Sequence, residues 1–202
     1  MTLDRLRPLA DRMLDPFVGA AARIGLTPDG ISVVAMLMAV GAGTAFYLGG
    51  ADPSWYLVGA VLVFLNGWLD LLDGALARET STSSRAGDLL DHVLDRYADI
   101  VMLVGLAAGV ARYDLGLAAV TGVLMTSYLG TQAQAVDLDR VYGGIVGRAD
   151  RLALIGLTAF AAPFLGALAY GLGPVGWLLV FLAVVGHFTA LQRFYYSMRA
   201  LS

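Results

Sequence analysis

Residues 70–95 read DLLDGALARETSTSSRAGDLLDHVLD. Asp70 and Asp73 lie three residues apart, Asp91 and Asp95 four apart. On helices, each spacing sets both carboxylates on one face. Apolar runs flank both pairs, so the stretch reads as two membrane helices joined by a short polar segment. They close as a hairpin with the acid faces toward each other. Carboxylates in such surroundings are costly unless they face a polar cavity and meet a cation.

Hard divalent cations take oxygen ligands, and Mg²⁺ is held by a few carboxylates together with substrate phosphates. Four converging acids therefore point to a one- or two-metal site for phosphate chemistry. Gly74 and Gly87 sit beside the acids. Glycine is costly inside a helix, so its use here points to close approach of backbone and ligand. Arg78, one turn after Gly74, is placed to meet a phosphate. The plainer alternative is that the acids snorkel or form ion pairs.

Working outward, the chain has 202 residues, 58% of them hydrophobic and only 14% charged. Its mean hydropathy is +0.74. This composition is that of a polytopic membrane protein. There is no cysteine, which removes disulfide and thiolate chemistry. All thirteen basic residues are arginine, so a lysine Schiff base is excluded too. The opening residues lack the short basic region and apolar core of a signal peptide.

Residues 1–23 carry Leu3, Leu6, Leu9, Ala10, Met13, Leu14, Phe17 and Val18 at helical spacing, interleaved with Arg5, Arg7, Arg12 and Arg23. They read as an amphipathic helix in the membrane interface, broken or bent at Pro8 and Pro16. Thr27 is a candidate N-cap with Pro28 in the first turn that follows. Six apolar segments come next, at 31–49, 54–78, 88–111, 114–137, 150–170 and 174–198, each about long enough to span. The expected fold is all-α: a single membrane domain over residues 1–202, with the interfacial helix at 1–23 and a six-helix transmembrane bundle at 31–198.

Arginine placement sets the orientation. With six spans, Arg5, Arg7, Arg12, Arg23, Arg78, Arg85, Arg140, Arg148, Arg151, Arg193 and Arg199 fall on one side and Arg112 alone on the other. Both termini and the acid hairpin are then cytoplasmic in a cell-membrane protein. Gly41 with Ala45, and Gly105 with Gly109, have the spacing of close helix contacts. Packing within the chain is favoured over a homodimer seam, though a homodimer is possible.

The pattern Asp70-x2-Asp73-Gly74-x2-Ala77-Arg78-x8-Gly87-x3-Asp91-x3-Asp95 resembles the signature of the CDP-alcohol phosphotransferase (phosphatidyltransferase) family at every fixed position. The resemblance implies an integral-membrane transferase that moves a phosphatidyl-type group from a CDP-lipid to a hydroxyl and releases CMP. It implies that Asp70, Asp73, Asp91 and Asp95 serve two metals, Mg²⁺ or Mn²⁺, with Asp95 as the general base. It also implies that Asp70, Asp73, Gly74, Ala77, Arg78 and Gly87 line the cytidine diphosphate site. The chain departs from the pattern before the first span, with Asp29 and Ser32 where the family often has Asn and Thr.

For the acceptor, Ser127-Tyr128 and Gly147-Arg148-Ala149-Asp150-Arg151-Leu152 resemble patterns of members acting on inositol phosphate or glycerol phosphate. Arg148, Arg151 and Arg193 could form an anion pocket for an acceptor carrying its own phosphate. Positive-inside anchoring is the bland account of the same arginines. Inositol-phosphate members usually have a basic residue shortly after this Ser-Tyr pair; here Thr131, Gln132 and Gln134 occupy that region and offer hydrogen bonds to hydroxyls, Gln132 among them as a candidate acceptor contact, but no charge. Inositol phosphate is the favoured acceptor, then glycerol phosphate, then serine; the lipid is CDP-diacylglycerol or CDP-archaeol. No nucleic-acid partner is expected. Two rival readings are a cation channel or transporter lined by the acids, and a structural membrane protein with a degenerate site. The clustering of the acids on two segments disfavours the first, and the intact signature disfavours the second.

Overall fold

The computed structural model describes residues 7–80, 84–138, 144 and 146–202, with side chains described from Met13 onward. Leu3, Arg5, Leu6, Arg140 and the middle of the polar 79–86 connection lie outside the described residues. Seven α-helices follow one another: α1 (Arg7–Arg23), α2 (Pro28–Leu48), α3 (Trp55–Glu79), α4 (Arg85–Gly109), α5 (Tyr113–Ala135), α6 (Arg148–Ala161) and α7 (Pro174–Leu201). There is no strand among the described residues. Among the described residues three helices, α2, α3 and α7, are long and apolar enough to cross a membrane. Helix α4 is also 25 residues long, but its first half carries the acids.

Local signals account for the helix starts. Thr27 caps α2 by accepting from the Gly30 N–H at 3.1 Å, with Pro28 in the first turn, as expected. Ser84 caps α4 in the same way through the Gly87 N–H at 2.9 Å. Two expectations change: of the break or bend expected in the first helix the break is absent, and the fifth segment is shorter than expected. Helix α1 runs through Pro16 without a break; the docking of Leu14, Val18 and Ala21 onto Ile31, Leu72 and Leu76 holds the helix across the missing hydrogen bond. The fifth segment, expected at 150–170, is helical only to Ala161, which leaves 14 residues of α-helix. Pro163 follows, and the chain continues as 3₁₀ turns at Ala162–Phe164 and Ala169–Gly171. At 1.5 Å per residue such a helix is roughly 21 Å long, short of a bilayer core of about 30 Å.

Helix α2 packs against both α3 and α4, α5 pairs with α7, and α6 lies between α3 and α7. The α2–α4 crossing depends on absent side chains. A Cβ on Gly43 would lie 2.6 Å from the Val101 carbonyl oxygen, and one on Gly105 would overlap the Gly43 carbonyl. Gly109 meets the Phe46 carbonyl just as closely. The spacing of Gly105 and Gly109 is thus used inside the chain, as favoured. Phe46, Met102, Leu103 and Leu106 are fully buried around this crossing. Leu157, Leu117 and Phe64 face outward with two thirds of their surface exposed, which suits a surface solvated by lipid.

Candidate functional site: an acid cavity at the end of the α3–α4 hairpin

The acids sit where the C-terminal part of α3 meets the N-terminal part of α4. Carboxylate oxygens of Asp70, Asp91 and Asp95 lie within 4.8 Å of one another. Asp73 faces the same cavity, but its Oδ2 accepts a hydrogen bond from Ser32 of α2 at 2.6 Å. The cavity, about 200 Å³ with its open mouth, is also lined by Asn66, Ala98 and Arg148. The acid pairs of residues 70–95 therefore converge, three of the four acids in one cluster with the fourth beside them, although α3 and α4 each pack on α2 rather than closely on each other.

Three ionised carboxylates this close repel one another unless cations intervene. The first to do so is Arg148, at the first position of α6. One of its terminal nitrogens lies 2.5 Å from Asp70 Oδ2 and the other 2.6 Å from Asp95 Oδ1. The start of α6 is fixed by Asp150, whose Oδ2 accepts from the Gly147 N–H at 3.0 Å. That capping bond aims the first turn, and its arginine, at the acids.

Behind the cavity the charges continue in alternation. Arg96 lies 3.6 Å from Asp95 and 3.7 Å from Asp99, and it donates to Ser127 of α5. Asp99, only 1% exposed, takes two bonds from Arg151, through Nη2 at 2.5 Å and Nε at 3.3 Å. Asp70, Arg148, Asp95, Arg96, Asp99 and Arg151 thus form one acid–arginine chain across α3, α4 and α6. Ion pairs this buried recover their desolvation cost only with good geometry, and removing one member strands the next.

The remaining expected residues fall as follows. Arg78 lies beside Gly74, its Nη1 3.5 Å from where a Gly74 Cβ would be. Ala77 is one position before Arg78 on the same helix. Gly87 faces the start of α2, where a Cβ would come 3.1 Å from Asp29 Oδ1. Of the three arginines expected to form an anion pocket, Arg148 pairs with the acids, Arg151 with the Asp99 carboxylate, and Arg193 donates to the Thr126 carbonyl at 2.7 Å. Arg151 and Thr126 line a second cavity of about 270 Å³ with Thr189 of α7. Gln132 sits in the last turn of α5, and no described contact ties it to the acid cavity.

Two residues of the site escaped sequence reasoning as site residues. Asn66 is 1% exposed and donates to the Ala35 carbonyl at 2.9 Å, while its buried Oδ1 has no partner. It lies one turn before Asp70 on the same face, and that i, i+4 relation was its available signal. Ser32, by contrast, binds Asp73 from another helix, which no spacing along the chain discloses.

The residues fit a divalent cation: three carboxylates within one coordination sphere, and an unsatisfied amide oxygen in the same wall. They are all-oxygen donors, the set that suits Mg²⁺ and Mn²⁺.

An apolar helical bundle holding such an oxygen-rich cavity at the end of one hairpin is that of a membrane protein built to handle cations and phosphates. The match to known proteins makes the class specific. The family model for CDP-alcohol phosphatidyltransferases matches residues 25–189, and the chain belongs to that family. It is accordingly a transferase of phospholipid biosynthesis and an integral membrane protein. It is 33% identical to the archaetidylinositol phosphate synthase of Methanothermobacter thermautotrophicus, over 98% of this chain and 95% of that protein. Its fold is similar to that of the Mycobacterium tuberculosis phosphatidylinositol phosphate synthase. That enzyme's crystal structure with CDP-DAG bound superposes with a TM-score of 0.78 at 26% identity, covering 92% of this chain and 94% of the other. A second structure of that enzyme, in complex with manganese and citrate, gives the same TM-score and identity over 92% of this chain and 88% of the other. The family match sets the channel and degenerate-site readings aside.

Proposed function

We propose that this chain transfers a phosphatidyl-type group from CDP-diacylglycerol or CDP-archaeol to a hydroxyl of inositol phosphate and releases CMP. The observation that carries the chemistry is the cluster of Asp70, Asp91 and Asp95 with Asp73 beside it. The names of the relatives above support the acceptor. A pair of divalent cations, Mg²⁺ or Mn²⁺, when bound by the four acids, supplies positive charge against the pyrophosphate and the leaving CMP.

The chain's own residues do the rest. Gly74, Ala77, Arg78 and Gly87 line the approach for the cytidine diphosphate, with Arg78 as its phosphate partner. The acceptor's hydroxyl oxygen attacks the phosphorus on the lipid side. A new P–O bond forms to the acceptor, and the P–O bond to CMP breaks. The hydroxyl proton passes to the Asp95 carboxylate, one helical turn beyond Asp91 and so inside the cluster. Arg148, Arg151 and Arg193, with Gln132 farther along α5, hold the acceptor.

We place six crossing segments in the bilayer as a single domain, the fifth completed by the turns that follow α6. Helix α1 lies in the interface, and both termini and the acid cavity face the cytoplasm. The arginine asymmetry supports that orientation. A homodimer is compatible with the exposed apolar faces.

The test is CMP release by the purified protein in detergent with Mg²⁺ and each CDP-lipid. Inositol phosphate, glycerol phosphate, serine and free inositol are offered separately. Release with inositol phosphate alone, lost on chelation, is the expected result. Release with glycerol phosphate or serine instead would replace the acceptor and leave the rest intact.

A further inference from the structure

Arg148 has two features that the acceptor pocket alone does not account for. It sits inside the acid cluster, bridging Asp70 and Asp95, rather than beside it. It is also incompletely satisfied there, because its buried Nε has no hydrogen-bond partner. Arg151 differs on both counts. It takes a side-on grip on Asp99, outside the three-acid cluster. One arginine is built into the fold, whereas the other is a guest among carboxylates that have a second use.

We propose that Arg148 is an exchangeable counter-ion: it neutralises Asp70 and Asp95 in the empty enzyme and leaves them for the acceptor's phosphate when divalent cations are bound. The inference rests on the metal-dependent reading above and adds the order in which the site fills. The carboxylates that Arg148 grips belong to two of the three clustered acids, so a cation there competes for the same two groups. A guanidinium and a divalent cation held side by side would also repel each other strongly in so buried a place.

Once released, Arg148 keeps its charge and its planar fork of donors. It needs an anion of matching geometry, and a phosphate monoester provides one. The acceptor's phosphate would then satisfy the fork that the carboxylates leave with one donor unmet. Cation binding thus prepares the acceptor site, and by linkage the acceptor must tighten cation binding by the same factor. An acceptor without a phosphate gains nothing from the exchange, so the device also selects for phosphorylated polyols.

The experiment is a titration of the purified protein in detergent with Mn²⁺, read by the electron paramagnetic resonance of free Mn²⁺, with and without saturating inositol phosphate. Wild type, Arg148→Gln and Arg148→Lys are compared. Wild type is expected to bind Mn²⁺ about 10-fold more tightly when inositol phosphate is present, within the usual range of such couplings. Arg148→Gln is expected to bind Mn²⁺ about 10-fold more tightly than wild type without the acceptor, and to gain nothing from adding it. Arg148→Lys decides the matter if the glutamine variant does not fold. An ammonium cannot fork across two carboxylates, so its Mn²⁺ affinity should also exceed that of wild type. Equal Mn²⁺ affinity in wild type and variants, or an equal gain from inositol phosphate in all of them, would overturn the exchange and leave the metal site standing. Absence of Mn²⁺ binding by wild type would remove the metal-dependent reading and the exchange together.

Discussion

The two halves of α4 solve opposite problems. Its N-terminal part, from Asp91 to Asp99, presents carboxylates to α3 and α6 and the Arg96 guanidinium to α5, and is held by arginines. Its C-terminal half presents Gly105 and Gly109 to α2 and is held by backbone touching backbone. In a bilayer, lipid tails are as apolar as leucine, so close packing of small residues is what binds helices there. Charge is tolerated at the other end because nearly every member of the acid–arginine chain has an opposite neighbour. One helix thus joins a glycine seam of backbone contacts to a polar end of ion pairs. Changes at the seam should damage the fold, and changes at the polar end should damage the chemistry.

The largest break expected of that contrast is at the polar end. Asp95→Asn should lower turnover by about 10³-fold, within the range for loss of a general base, while CDP-lipid binding stays measurable. Full turnover in that variant, measured as CMP release, would remove Asp95 as the base. At the seam, Gly105→Val forces a branched side chain into the Gly43 carbonyl. Overpacking of this kind costs roughly 1–3 kcal/mol or more. The variant should show a lower melting temperature in detergent, with the acceptor KM of its folded fraction unchanged; an unchanged melting temperature would mean that the seam is not close-packed.

A subtler change tests the join between the halves. Asp99→Asn keeps the shape but removes the charge that grips Arg151, and should raise the acceptor KM by about 10-fold. That factor is about 1.4 kcal/mol, just under the 2–5 kcal/mol seen when one partner of a buried charge pair is removed outright. The CDP-lipid KM should move less than twofold, and equal changes in both would point to general loosening of α4. Smallest of all, Leu157→Ala on the outward face should shift stability by no more than about 0.5 kcal/mol, because that side chain is about two thirds exposed.

Much of the polar end is legible in the sequence because it is local. The i, i+3 and i, i+4 spacings of the acids place them on shared faces, and the short stretch of chain between α3 and α4 keeps those faces near each other. The glycine spacing of α4 and the Thr27 cap are legible for the same reason. What the chain does not disclose is which distant partner each face meets. The arginines at 148 and 151 look like a pair by spacing, yet α6 delivers them to different carboxylates, Asp70 and Asp95 for one and Asp99 for the other. The Ser32–Asp73 bond joins residues 41 positions apart. The early end of α6 at Ala161 is readable from Pro163 only when local backbone chemistry is allowed to outrank apolar length. The continuity of α1 through Pro16 is the reverse case, in which docking onto α3 outweighs the proline.

The central claim is that the acid cavity binds divalent cations through the clustered aspartates. The most direct measurement is Mn²⁺ binding by wild type and Asp91→Asn, read by electron paramagnetic resonance with CDP-lipid present. Asp91 is the member of the cluster that Arg148 does not bridge, so its replacement leaves that bridge in place. Wild type should bind Mn²⁺, and Asp91→Asn should bind it at least about 10-fold more weakly while still folding. Equal binding by the two proteins would contradict the account and move the cation site away from these residues.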